Sequence, residues 1–167
     1  LNIIAIEPND DMRSAAAKSN DSSLVTILKG SAEDTTLPSN IATCIGAAQA
    51  FHWFDVPKTL REMHRLATKA HPCVCFALWN DRFIGNDGFH DELEHSLRRF
   101  SQSYREMKRP IDSIQELMSH VPNGELIEFP NQQECDLTSF IGRMKSLSYV
   151  AHPGGGGGDA IDLEARR

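Results

Sequence analysis

The chain has 167 residues, 40% apolar and 24% charged, which suits one soluble globular domain with a core of its own. Acids outnumber bases 23 to 17, and the formal net charge of -6 argues against a nucleic-acid or anionic-membrane surface. No apolar run approaches the roughly 20 residues of a bilayer span, and no signal or transit peptide is visible.

The first predicted element is Ile3-Ile4-Ala5-Ile6-Glu7, an apolar run stopped by Pro8 and Asn9. Such a run, bounded by turn residues, reads as a buried strand of a parallel sheet. Pro8 cannot donate to a ladder, so the strand ends at Glu7. Asp10 to Lys18 reads as a helix, with acids at its positive end and a base at the other. A carboxylate at the carboxyl end of a parallel strand sits where open α/β sheets bind ligands, and it can accept from both hydroxyls of a ribose. The plainer reading is that Glu7 caps the following helix.

Leu24 to Leu28 reads as a second strand, followed by Lys29-Gly30 and the small and acidic run Ser31-Ala32-Glu33-Asp34. Ala32 would let a flat ring approach the backbone, and Glu33 could accept from an exocyclic amine. A plain polar loop is the alternative. Ile41 to Ala48 reads as a third strand, leading into Gln49-Ala50-Phe51-His52-Trp53-Phe54-Asp55. Three aromatics and a histidine crowd this loop. They either line a ligand site or pack the next helix onto the sheet. Val56 to Ala67 is helical by its apolar spacing, with Pro57 in its first turn. Cys73 to Leu78 reads as a fourth strand, closed by Trp79-Asn80-Asp81-Arg82. Alternation of strand and helix to this point predicts right-handed βαβ units and a parallel sheet.

From Phe83 the pattern turns helical. His90 to Met107, Ser113 to Val121 and Leu137 to Met144 read as helices, Leu126 to Phe129 as a short strand. The turn at Gly85 to Gly88, the run Ser146 to Val150, the five glycines Gly154 to Gly158 and the charged tail complete the chain. The organisation expected is one domain over residues 1–151, with 83–150 as a helical cap and substrate region, and a flexible tail over 152–167. Cys44, Cys73 and Cys75 stand in strand-like apolar surroundings, where a free thiol packs as a small hydrophobe. With Cys135 they match no zinc ligand spacing, so no metal is expected, and reduced thiols point to a cytoplasmic chain.

Four strings, Ala5-Ile6-Glu7-Pro8-Asn9-Asp10-Asp11-Met12, Gly30 to Pro38, Ala48 to Asp55 and Leu78 to Arg82, stand in this order. Together they resemble a class I S-adenosylmethionine-dependent methyltransferase of the small-molecule type, over roughly residues 2–151. The resemblance implies an α/β fold: a partial Rossmann-like methyltransferase sheet of mostly parallel strands, with flanking helices and a helical cap. It implies S-adenosylmethionine as cofactor, with Glu7, Pro8 and Asn9 at the ribose, Ala32 and Glu33 flanking the adenine, and Ala48 and Gln49 facing the methionine moiety. His52, Trp53 and Trp79 fall near the acceptor, and His52 is the candidate catalytic base because it titrates near neutrality.

The family's first strand and glycine-rich turn are expected upstream of Leu1 and are not in the sequence. In the family that strand lies between the strands expected at Ile3–Glu7 and Ile41–Ala48, so the sheet lacks a central member. The function implied is methyl transfer to a small-molecule acceptor, with activity depending on that segment. The alternative is a truncated, non-catalytic remnant acting as an interaction module, which leaves self-association through open sheet edges as a partner mode.

Overall fold

The computed structural model describes residues 2–81, 88–106 and 109–147. Arg82, the turn from Gly85, Met107, the run 148–150, the glycine run and the tail lie outside the described residues. By internal contact the chain divides into two units: Leu1–Asn80 with Pro110–Pro122, and Asp81–Arg109 with Asn123–Arg167.

The first unit opens with β1 (Ile3–Ile6), α1 (Asp10–Ser19) and β2 (Val25–Leu28). Asn9 starts α1 by accepting from the N–H groups of Asp11 and Met12, both at 3.0 Å, which satisfies two donors that the first turn leaves open. Then come β3 (Cys44–Ala48), a single 3-10 turn (Phe51–Trp53), α2 (Val56–Leu66) and β4 (Val74–Leu78). Asp55 caps α2 by accepting from the Lys58 N–H at 3.1 Å, and Pro57 occupies the first turn, where its missing N–H costs nothing. Val56, Thr59, Glu62, Met63 and Leu66 recur at three and four residues and form the buried stripe of α2. That stripe, with Phe51, packs on Ile45, Ala47 and Ala77 of the strands. Leu117 of α5 (Pro110–His120) joins the same cluster, although α5 lies within the stretch expected to be cap.

All the strand pairing is parallel, as expected, but the strands do not make one sheet. β1 pairs β2 and β3 pairs β4, in two separate ladders. The consequence for burial is large. Strands of parallel sheets are normally covered on both faces, yet no residue of any of these four strands is buried. On the β3–β4 pair, Ile45, Ala47 and Ala77 meet the α2 cluster. The opposite face carries Cys44, Gly46, Ala48, Val74, Phe76 and Leu78, and all six are exposed. The expected packing of Cys44 as a small hydrophobe fails for this reason: its face has no cover. Cys75 is exposed as well.

The second unit holds α3 (Gly88–Phe100), α4 (Gln102–Glu106) and α6 (Leu137–Ser146). The helix expected over His90 to Met107 is thus two helices, parted at Ser101, whose hydroxyl accepts from the Tyr104 N–H at 3.0 Å and caps the second. Leu97 and Met144 form this unit's buried centre, with Leu93, Tyr104 and Phe140 against it. The strand expected at Leu126 to Phe129 forms no ladder among the described residues, and Leu126, Ile127 and Phe129 are 54%, 59% and 77% exposed.

Candidate functional site

Parallel pairing sets the carboxyl ends of β1 and β2 side by side, and those of β3 and β4 likewise. Glu7 follows β1 directly; its N–H donates to the Leu28 carbonyl at 3.1 Å. One oxygen of its carboxylate, Oε1, accepts from the Asn9 N–H at 2.8 Å. The Arg13 guanidinium reaches back to the Glu7 carbonyl at 3.1 Å and to Asp10 at 2.5 Å. Strand end and helix start are thereby locked together. Arg13 and Lys29 beside Asp10 hold its carboxyl below the usual range. Pro8 is exposed, and Asn9 is spent as the helix cap.

Past β2 the chain turns tightly. An added Cβ at Gly30 would lie 3.0 Å from Ile6 Cγ2, so the β2 exit must run close against β1. Ala32 is half-buried. Glu33 does not point freely at a ligand: its Oε1 accepts from the Asp55 N–H at 3.0 Å. Burial pushes the Glu33 carboxyl up, but the N–H of Asp55, its own N–H and the Ser31 hydroxyl outweigh that, and the net direction is down. Through this bond the loop after β2 reaches the start of α2. Two more anchors follow. Thr35 is bound to Glu62 of α2, and the Asn40 N–H donates to the Arg65 carbonyl at 3.0 Å.

At the end of β3, Ala48 is exposed and Gln49 adopts a left-handed backbone, with φ of 54°. That region is uncommon for a residue with a Cβ. The conformation lets the Gln49 N–H close the ladder on the Leu78 carbonyl at 2.9 Å while its side-chain amide donates to the Asn80 carbonyl at 3.1 Å. Strain held at a strand end marks places where ligands are met. Of the aromatic cluster, Phe51 is a core residue, 2% exposed. Trp79 packs edge-on against it at 6.0 Å between ring centres, and Trp79 Nε1 is buried without an acceptor among the described residues. His52 is half-buried with its ring 4.9 Å from that of Trp53, and Trp53 is 68% exposed. The structure thus separates roles that sequence left joined: Phe51 and Trp79 pack, Trp53 stands toward solvent, and His52 is half-buried with its Nδ1 shielded.

The network of Thr35, Glu62 and Arg65 escaped the sequence reading. Glu62 is 8% exposed, and its carboxylate takes Arg65 at 2.7 Å together with the Thr35 N–H. Its signal was available: an acid and an arginine three apart on a helix, with the acid on the apolar stripe. A buried carboxylate of that kind needs partners from elsewhere in the fold.

A parallel α/β arrangement with carboxylate and amide groups at the carboxyl ends of its strands defines the Rossmann-like class. Residues 1–71 match the family model described as "Methyltransferase domain". That segment is thus similar to methyltransferase domains. A candidate type II methyltransferase from Anaeromyxobacter dehalogenans has the same fold: TM-score 0.56 and 19% identity, covering 98% of this chain and 70% of that one. The YcgJ protein of Bacillus subtilis is similar at a TM-score of 0.44 and 23% identity, covering 71% of this chain and 51% of that one. A comparison with curated proteins gave no match.

The family generally uses S-adenosylmethionine, and the residues present fit its nucleoside half. Glu7 Oε2 takes no hydrogen bond among the described residues, so that carboxylate oxygen, with two lone pairs, is open to the ribose hydroxyls. Among the described residues no group of three His, Cys, Asp or Glu could hold a metal, and no helix is long and apolar enough to cross a membrane.

Proposed function

We propose that this chain binds the nucleoside of S-adenosylmethionine at the carboxyl ends of β1 and β2, in the service of methyl transfer to a small-molecule acceptor. The observation that carries the reading is Glu7, whose carboxylate is fixed by the Asn9 N–H through one oxygen and open at the other. The cofactor, when bound, supplies an activated methyl group; the chain's own residues supply position. Glu7 would accept from the ribose. Ala32, small and half-buried, would leave room for the purine. Pro8 and Asn9 shape the turn that aims Glu7. Ala48 and Gln49 stand at the β3 end, and His52, Trp53 and Trp79 on the acceptor side, where the His52 imidazole is the candidate proton acceptor. Calorimetric titration with S-adenosylmethionine tests this: Glu7→Ala should weaken binding about tenfold or more, the effect of losing hydrogen bonds to a charged acceptor. Unchanged binding would reject it.

A second reading, a non-catalytic interaction module, is supported by the two unjoined strand pairs and the uncovered strand face. On that reading the variant and the parent would both fail to bind the cofactor.

A further inference from the structure

Cys44, Cys73 and Cys75 gather at the amino-terminal ends of β3 and β4, opposite to the end of that ladder that bears Gln49 and Trp79. Register sorts the three thiols by face. Gly46 pairs with Phe76, and an added Cβ at Gly46 would run into the Phe76 ring, so paired residues share a face. Cys44 pairs with Val74 and therefore lies on the bare face. Cys75 pairs with Ile45, which packs toward α2 on the other face. Cys73 stands two residues before Cys75, and side chains two apart on extended backbone point the same way. The thiols of Cys73 and Cys75 are within hydrogen-bond reach of each other. Cys75 is exposed and Cys73 half-buried, so the pair opens to solvent.

Two facing thiols can close a disulfide or share a metal ion. The disulfide fits poorly. Residues two apart on extended backbone have Cα atoms about 6.6 Å apart, the far end of what an S–S bond spans. An ion set between the two sulfurs lengthens the link and suits that spacing. Zinc fits poorly too, because it takes four ligands, and among the described residues no group of three His, Cys, Asp or Glu could hold a metal. A soft monovalent ion is satisfied by two thiolates, and thiolate ligands select copper(I). We propose that Cys73 and Cys75 form a two-thiolate site for copper(I) at the amino-terminal end of β4, with Cys44 excluded by its face. On binding, two S–H bonds break, two S–Cu bonds form, and both protons pass to solvent.

Native mass spectrometry of the full chain with copper(I), prepared without oxygen and in competition with a chromophoric chelator, tests the proposal. One ion should be retained, with a mass shift of one copper less two protons. Cys73→Ser and Cys75→Ser should each weaken binding about a hundredfold or more, at least what the loss of an outer partner costs a metal site. Cys44→Ser and Cys135→Ser should bind as the parent does. Alkylation of the unsubstituted chain gives a reading that no folding defect can disturb: copper(I) should shield Cys73 and Cys75 and leave Cys44 and Cys135 as reactive as before. A parent chain that retains no copper overturns the proposal. So does a Cys75→Ser variant that binds equally, binding that requires Cys44 or Cys135, or shielding spread evenly over the four thiols.

Discussion

Thr35 gives both its backbone N–H and its hydroxyl to a single carboxylate oxygen of Glu62, at 2.9 and 2.5 Å. These residues are 27 apart in sequence, and their bond ties the loop after β2 to the buried side of α2. The hydrogen-bonded Arg65 guanidinium is the chief reason that Glu62 titrates low, at about 2; burial opposes the shift, and the Thr35 bonds add to it. With a folded-state pKa below the ordinary 4.5, the contribution to stability is complete above about pH 4.5 and is lost as pH falls toward 2. A shift of that size corresponds to about 3 kcal/mol. Glu62→Gln should therefore lower the unfolding free energy at neutral pH by about that amount and flatten the acid limb, as read by denaturant titrations from pH 7 to pH 2.

The backbone of Gln49 permits a clean comparison. A φ of 54° costs a residue with a Cβ about 1 kcal/mol that glycine does not incur. Both Gln49→Gly and Gln49→Ala lose the side-chain bond to Asn80. Gln49→Gly should nonetheless be the more stable of the two by about 1 kcal/mol in urea unfolding. If the pair unfold together, the left-handed conformation is not held in solution.

Asp55 both caps α2 and offers its N–H to Glu33. Only the cap depends on the side chain. Asp55→Ala should cost about 1 kcal/mol, and Asp55→Ser should recover most of it. Exchange of the Asp55 amide should speed up in Glu33→Ala but not in Asp55→Ser, which separates the two bonds.

Val74 and Phe76 are 61% and 49% exposed on the bare face of β4. Replacing either with threonine removes little buried area, so stability should move by no more than about 0.5 kcal/mol. The soluble yield should rise, because the apolar patch shrinks. A loss of stability beyond 2 kcal/mol would mean that this face is covered in solution.

Local signals carried most of the fold. Pro8 and Asn9 announced the end of β1 and the start of α1, and the apolar spacing of α2 marked its buried stripe. Alternation of strand and helix announced the parallel pairing, which the structure divides into two ladders. The site was less legible. Glu33 reads as an open acceptor in sequence, but its partner is a backbone N–H 22 residues on, and no local pattern reveals that. Leu126 to Phe129 has the composition of a strand, yet a strand also needs a neighbour, and composition cannot supply one. Ser101 looks like one more polar residue in a long helix, but its hydroxyl caps a new one.

The central claim is that Glu7 grips a ribose diol. Affinities for adenosine and 2′,3′-dideoxyadenosine, measured by calorimetry on the parent chain and on Glu7→Gln, test it most directly. The account predicts that the parent prefers adenosine by about tenfold and that Glu7→Gln loses most of that preference, as expected when a charged acceptor of two hydroxyls is neutralised. An equal preference for adenosine in both proteins would contradict it.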